Sequence, residues 1–424
     1  MKKYVRLFLI ISAVVITLLS SIKGAGLIEN NGCVDLRCRI VGTRLSHAGY
    51  SPYFYKWTAG GNIYFLDPND QPGRKVNGNV VTPAVFKTFF ILAQLKYPLI
   101  KLVWGILQYL FILSAFFLLT RNKKSTGNDN FFPFMIVLFC YICSNIWFYN
   151  VERGQVYSFY LFILSLIYGF YQSSWKQGTF VSGFVCALAV CIRPLMTVFA
   201  IPFFLKKDIK WMAGSICGAI IGICLFVLPF IQDWKGYFSA MKEYSNEITV
   251  RHYPAAVKQE IPSIIEGSSN MQNSTSFQCG GLSTVQYYLA AKGVFLQSFT
   301  LAGIYCIMAA LLCFLYMRSK PQFQSPENIF LFAFLLYILS ELFIIGHRGG
   351  YNQIEWIFGV FLLCKKKKFP DLLLAGMLAA ILLENIQLNV IPYQFEFAEI
   401  ILICILFYGV LGKEYLKKRQ LSRV

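Results

Sequence analysis

Apolar runs of about 20 residues, the length that crosses a bilayer core as a helix, recur along this chain with short polar stretches between them. They fall near 5–22, 99–120, 131–149, 156–173, 211–231, 299–317, 328–346, 353–364, 370–388 and 397–412. The pattern predicts an all-α polytopic membrane protein of about ten transmembrane helices, with 1–424 as a single domain. The first run follows Lys2, Lys3 and Arg6 like a signal peptide. Its apolar stretch is long for one and no small-x-small cleavage site follows, so a retained helix is expected.

The polar stretches sort by charge. Basic clusters at the start, at Arg121–Lys124, Lys176, Lys206–Lys210, Arg318–Lys320, Lys365–Lys368 and the tail from Lys413 share one side under one condition. The run 179–205 must enter and leave by the same face. Arg193-Pro194 breaks its middle, where proline removes a backbone donor and clashes with the preceding turn. A re-entrant helical hairpin bent there reconciles the charges; one kinked span is the alternative. Both termini are then cytoplasmic, and 23–98 and 232–298 are long exterior loops. Such loops are where a membrane enzyme carries its chemistry. Residues 82–101 are amphipathic enough to lie along the interface. No internal repeat of the kind that builds many transporters is visible.

Composition agrees. Hydrophobic residues make up 57% and charged ones 14%, with a mean hydropathy of +0.56, which excludes a soluble domain. The net charge of +19 is explained by cytoplasmic loops facing anionic lipid, so membrane lipids are partners and nucleic acid is not. Most of the 13 Cys sit inside apolar runs without metal-ligand spacing. Cys33, Cys38 and Cys279 fall in the exterior segments, where one disulfide of unreadable connectivity is conceivable.

Four places could carry chemistry. Asp35 stands soon after the first span among Arg37, Arg39 and Arg44, with the aromatic cluster "YSPYFYKW" (50–57), including Tyr53, close by. Its plain alternative is a solvated acid paired with Arg37 or Arg39. In "NVERGQVY" (150–157), Arg153 and Gln155 sit at the mouth of a span, with Gly154 permitting close backbone approach; helix capping and snorkelling is the alternative. Arg193 is a cation at membrane depth, a functional candidate by default, unless it merely pairs with carbonyls at the helix break. "IIGHRGGYNQIEWIF" (344–358) brings His347, Arg348, Tyr351 and Glu355 into one short exterior turn, with Glu355 at a helix start, where a carboxylate is stabilised. A simple polar turn is its alternative. No nucleotide-binding or metal motif is present.

These pieces resemble the GT-C superfamily of integral membrane glycosyltransferases, and most closely glycosyltransferase family 87. The family pattern of an early Asp followed by "aG-x-x-P-Y" is matched by Asp35 and "AGYSPYFY" (48–55). "GQ" opening a later span is matched by Gly154-Gln155. A Gly-rich span ending in "K-P" and a basic loop is matched by "GFVCALAVCIRPLMTVFAIPFFLKK" (183–207), and an exterior His loosely by His347. The family's Asn after "GQ-V" is Tyr157 here, the Lys of "K-P" is Arg193, and a second Pro is missing. The likeness covers residues 30–210, the best-matching catalytic module; 211–424 matches in hydropathy and His347, as variable C-terminal helices.

The resemblance implies a GT-C fold and an inverting transfer of a hexose or pentose, mannose above all, from a polyprenyl-phosphate sugar. The implied acceptor is a hydroxyl of a lipid-linked or cell-envelope glycan, at the exterior face of a bacterial inner membrane. Asp35 is the implied catalytic base. Arg153, Arg193, His347 and Arg348 are the implied donor-phosphate ligands, and Gln155, Tyr53, Tyr351 and Glu355 the substrate contacts. No metal or other cofactor is expected. The rivals are an O-antigen polymerase or ligase and a lipid-linked sugar flippase, the last of which needs no base.

Overall fold

The computed structural model describes residues 3–66, 81–120, 131–251, 279–280, 282, 285, 289, 292–294, 296, 298–318, 325–345, 348–366, 370–385 and 394–421. Each predicted apolar run forms helix over its described residues. Helix α1 (Lys3–Asn31) is followed by α2 (Val34–His47), the short α3 (Pro83–Thr88) and α4 (Phe90–Ala93), and α5 (Tyr97–Thr120). Then come α6 (Phe131–Ile142), α7 (Asn145–Arg153), α8 (Tyr157–Tyr171), α9 (Gly178–Ile192), α10 (Ile201–Lys206), α11 (Ile209–Gly222) and α12 (Ile231–Arg251). The last five helices are α13 (Ser298–Arg318), α14 (Pro326–Ser340), α15 (Trp356–Lys365), α16 (Asp371–Asn385) and α17 (Gln394–Leu421). Cys279–Gly280 pairs with Arg348–Gly349 in a two-residue antiparallel ladder.

Five of the described helical segments are long and apolar enough to cross a membrane, or six if α7 and α8, bent by 107°, count as one. The protein is an all-α polytopic membrane protein. Of the remaining predicted spans, 353–364 and 370–388 form the shorter helices α15 and α16, 131–149 is divided between α6 and α7, and 397–412 lies within α17. Large apolar side chains on α1, α5, α11 and α13, among them Leu19, Leu102, Ile220 and Ile307, are exposed, as lipid-facing surfaces require. Helix α14 is buried without a break from Ile329 to Ser340, which marks it as the centre of the bundle. Around it Tyr168, Phe199, Phe330 and Phe358 pack edge to face.

The hairpin predicted at 179–205 is present. Helix α9 ends at Ile192, because Pro194 forces extended backbone on Arg193 (φ −137°, ψ 92°). A 3-10 turn, Pro194–Ala200, and α10 then bring the chain back. Phe203 stacks on Trp211 at 4.2 Å, and the Trp211 indole donates to Ser182 Oγ at 3.2 Å. The start of α9, the end of α10 and the start of α11 therefore share one end of the bundle, with Arg193 at the other. Helices α9 and α11 run side by side, and Gly183, Gly214 and Gly218 each face the backbone of the partner helix, the small-residue seam by which membrane helices approach closely.

Cations gather at the end where α10 meets α11. Lys206 Nζ donates to the Tyr171 hydroxyl at 2.9 Å, and Lys365 sits over the Tyr168 ring. At this same end the Gln172 amide donates to Glu327 at 3.2 Å, at the start of α14.

Two predicted loop boundaries move. Residues 23–31 continue α1, which ends only where Gly32 and Cys33 take left-handed backbone (φ +73° and +54°). The segment expected to be loop from 232 onward starts as α12, which extends the α11 direction past a π-turn at Ile223–Val227 and a 3-10 turn containing Pro229. Within 23–98, α2, α3 and α4 make a folded layer rather than open loop. Ser46 Oγ donates to Asp233 Oδ2 at 2.5 Å, tying α2 to α12.

Candidate active site

Helix α2 opens at Val34 and carries Asp35 in its first turn, where the helix dipole favours a carboxylate. Across from it, α7 ends at Arg153 because Gly154 takes left-handed backbone (φ +66°). A Cβ on Gly154 would lie 2.6 Å from Leu36 Cβ, so glycine meets two demands here: the positive φ and the contact with α2. The two helix ends thus bring Arg153 and Gln155 to Asp35.

The contact is a fork. Arg153 Nε donates to Asp35 Oδ2 at 2.6 Å, and its Nη2 donates to Oδ1 at 2.9 Å, the planar bidentate geometry that guanidinium supplies. Gln155 Nε2 also donates to Oδ2. Behind Gln155, the buried Arg39 donates to Gln155 Oε1 at 2.7 Å and to the Gly154 carbonyl at 3.0 Å. The partner of Asp35 is therefore Arg153, from 118 residues away, rather than its sequence neighbours Arg37 or Arg39. Oδ1 accepts a single bond and the Asp35 side chain keeps 23% of its surface. An oriented anionic oxygen with a lone pair to spare can take a proton from a hydroxyl.

A second charged cluster surrounds Arg193, which is 7% exposed. Its Nη1 donates to Glu355 Oε1 at 2.9 Å and its Nη2 pairs with Glu341. Glu341 opens a π-turn (Glu341–Ile345) at the end of α14, and Glu355 caps α15. The Tyr337 hydroxyl donates to the same Glu355 carboxylate at 3.0 Å, and the guanidinium lies 4.2 Å from the Tyr160 ring centre and 5.1 Å from that of Tyr157. Arg193, an implied donor-phosphate ligand, thus sits in a buried ion cluster, paired with carboxylates rather than with carbonyls at the helix break. An unpaired guanidinium at this depth is costly, and two carboxylates from the last third of the chain offset that cost.

Aromatic rings join the clusters. The Tyr149 hydroxyl lies 3.3 Å from Arg153 Nη1, and Tyr351 packs between Tyr149 and Tyr157 with ring centres at 5.4 and 5.2 Å. Asp35, Arg153, Tyr149, Tyr351, Tyr157 and Arg193 form one continuous line of contacts. Tyr53 takes no part in it. It is 3% exposed and donates its hydroxyl to the Val81 carbonyl at 2.8 Å, so the expectation of a substrate contact there is replaced by a packing role between Phe86 and Tyr237. His347 lies outside the described residues; Arg348 is placed by its backbone ladder to Gly280.

Residues 82–343 match the family model described as glycosyltransferase family 87, more than half of the 424 residues. The chain belongs to glycosyltransferase family 87. No match was found among the curated proteins or among the solved structures. The family 87 match contains Arg153, Gln155, Arg193 and Glu341, and begins after Asp35. What links Asp35 to the matched region is the Arg153 fork itself.

Glu341 was legible in principle, as an acid inside an apolar run, by the reasoning that singles out Arg193. Tyr149, Tyr160 and Tyr337 carry no signal in one sequence, because tyrosines are abundant throughout this chain (25). Among the described residues no three His, Cys, Asp or Glu side chains converge on a metal-sized site. Cys33, at the N-cap of α2, is a free thiol whose proton burial holds up to about pH 11.

Proposed function

We propose that this protein is an inverting glycosyltransferase that moves a hexose or pentose, mannose above all, from a polyprenyl-phosphate carrier to a hydroxyl of a lipid-linked or cell-envelope glycan. It works at the periplasmic face of a bacterial inner membrane. Family 87 membership supports the transferase class, and the observation that carries the mechanism is the Asp35 carboxylate held by Arg153 and Gln155 yet still partly open. The acceptor hydroxyl donates to Asp35 Oδ1, and its oxygen attacks the anomeric carbon from the face opposite phosphate. As the new C–O bond forms, the bond to phosphate breaks with its electron pair, and the proton passes to Asp35. Phosphate leaves as an anion and needs charge stabilisation rather than protonation.

Arg153, beside the base, and the turn carrying His347 and Arg348 are the proposed phosphate ligands. Gln155 and Tyr351 shape the wall of the site. Arg193 and Glu355, engaged with each other and with Glu341, are positioning residues: they fix the hairpin tip and the wall formed by Tyr157 and Tyr351.

The test is to incubate purified protein with a panel of polyprenyl-phosphate sugars and membrane lipids, and to measure released polyprenyl phosphate. Asp35→Asn should lower turnover by about 10²–10⁴-fold, the range of general base catalysis, while donor binding persists. Release that proceeds at full rate without the carboxylate refutes the mechanism. Movement of the donor across the membrane with no release at all points instead to a flippase.

A further inference from the structure

The far end of α2 carries a cavity that the transfer mechanism does not use. It has about 160 Å³ of space, and its lining includes Thr43, Arg44, His47, Tyr64, Phe90 and Gln94. Arg44 is its frame. The guanidinium donates to the carbonyls of Ala93 at 3.0 Å, Tyr64 at 3.3 Å and Leu95 at 3.2 Å, and lies 4.0 Å from the Tyr64 ring centre. These bonds clamp residues 64–65 and α4 against α2, and they engage the guanidinium with neutral carbonyls. The Tyr64 hydroxyl donates to the Ala93 carbonyl at 3.0 Å and Thr43 to that of Arg39, which leaves two planar polar side chains in the lining, His47 and Gln94. His47 packs against Phe90, with ring centres at 4.6 Å, and neither of these two exposed side chains has a hydrogen bond among the described residues.

Aromatic faces beside planar polar groups suit one ligand chemistry in particular. A pyranose ring has an apolar C–H face, which an aromatic ring covers, and an equatorial belt of hydroxyls, which imidazole and amide groups bind as both donors and acceptors. An anion would want the guanidinium that the three carbonyls already hold. Position supplies the second half of the reasoning. Asp35, Arg39, Thr43 and His47 follow one another at four-residue spacing and so form a single ridge of α2. At 1.5 Å per residue the cavity wall lies roughly 12–18 Å along that ridge from the base. The ridge is also physically continuous: Thr43 Oγ1 donates to the Arg39 carbonyl at 2.8 Å, and Arg39 donates to Gln155, which holds Asp35.

We propose that this cavity binds a saccharide unit of the acceptor, more than one ring removed from the hydroxyl that attacks. The proposal rests on the transferase reading above. It makes the enzyme selective for oligosaccharide acceptors over single sugars. The position of His47 at the end of α2 and of Gln94 just past α4 then measures acceptor length, while the Asp35 end carries out the chemistry.

The experiment uses the full chain in lipid nanodiscs, since many detergents are themselves glycosides. Saturation-transfer NMR with methyl glycosides of mannose, galactose and arabinose, and with their α-linked trisaccharides, should show enhancement for at least one trisaccharide. That signal should fall at least fivefold in His47→Ala/Gln94→Ala and should survive added inorganic phosphate. No enhancement with any of them, an unchanged signal in the double variant, or displacement by phosphate overturns the proposal. In parallel, with whichever acceptor takes up sugar, the double variant should raise KM at least fivefold and leave kcat within twofold. Asp35-dependent release of polyprenyl phosphate with an unchanged KM defeats this inference alone; absence of any release defeats the transferase reading beneath it.

Discussion

Two residues, Asp35 and Arg153, meet at the proposed site in a fork that a point charge cannot copy. Lysine at 153 keeps the charge but presents one ammonium where guanidinium presents two parallel N–H groups. Arg153→Lys should therefore lower kcat by about tenfold or more, equivalent to about 1.4 kcal/mol of transition-state stabilisation, with a smaller change in donor affinity. Steady-state kinetics of polyprenyl phosphate release checks this. At Gly154 the backbone and the neighbouring helix make the same demand, so Gly154→Ala must strain φ +66° and push Leu36 away. It should destabilise the protein by more than 1 kcal/mol and reduce turnover by displacing Arg153 and Gln155. A lower unfolding temperature together with a lower kcat is the expected pair.

Cys33, beside them, offers a pH probe. Burial holds its proton until about pH 11 against an ordinary 9.0, so the folded state binds that proton more tightly than the unfolded chain. The associated stability is complete below pH 9 and is lost as pH climbs toward 11. Iodoacetamide at pH 8, read peptide by peptide in a mass spectrometer, should leave Cys33 unmodified in the folded protein and alkylate it after denaturation. The sequence shows Asp35, Arg153 and Gln155 as candidates but not as neighbours. Their meeting depends on two helix ends separated by more than 100 residues, which no local pattern encodes. Tyr53 shows the converse failure. It lies in an aromatic cluster that reads like a binding wall, and only packing reveals that its hydroxyl is already taken by Val81.

Among the elements, the hairpin of α9 and α10 was the most legible. A proline next to a charge in an apolar run, and basic clusters that balance only if the run turns back, were enough to predict it. What the sequence left dark was the hairpin's clasp, because Glu341 and Glu355 belong to other helices. Arg193→Met leaves both acids buried without their cation and should cost about 3–5 kcal/mol, seen as a fall in unfolding temperature in nanodiscs. The triple change Arg193→Met, Glu341→Leu, Glu355→Leu should recover much of that stability. Transfer should stay impaired in it, because the wall of tyrosines loses its anchor. A single Arg193→Met variant as stable as the parent would show that the cluster does not hold the hairpin.

For the whole molecule, hydropathy located the helices, and the basic clusters predict their direction. The limits of both are visible in α1 and α12, which continue as helix well past their apolar windows, since a helix does not stop where the membrane does. Lys206 and Lys365 lie at the end opposite Asp35 and Arg193, and this polarity implies a fixed orientation. In intact bacterial cells, with the native cysteines replaced, Thr58→Cys should react with an impermeant maleimide added outside, and Lys176→Cys should react only after lysis. The reverse pattern would put the carboxylate in the cytoplasm and refute the proposed exterior site.

The Arg193–Glu355 bond also sets an order of events during biosynthesis. The two side chains are 162 residues apart in the chain, and at 5–20 residues per second their meeting waits on the order of 10–30 s after Arg193 leaves the ribosome. Until then a bare guanidinium must be kept out of the lipid. The hairpin is therefore expected to dwell at the insertion machinery or in water until the last third of the chain is made. Nascent chains stalled before Glu341 should have Arg193 accessible to a soluble probe, and those stalled beyond Lys365 should have it sealed.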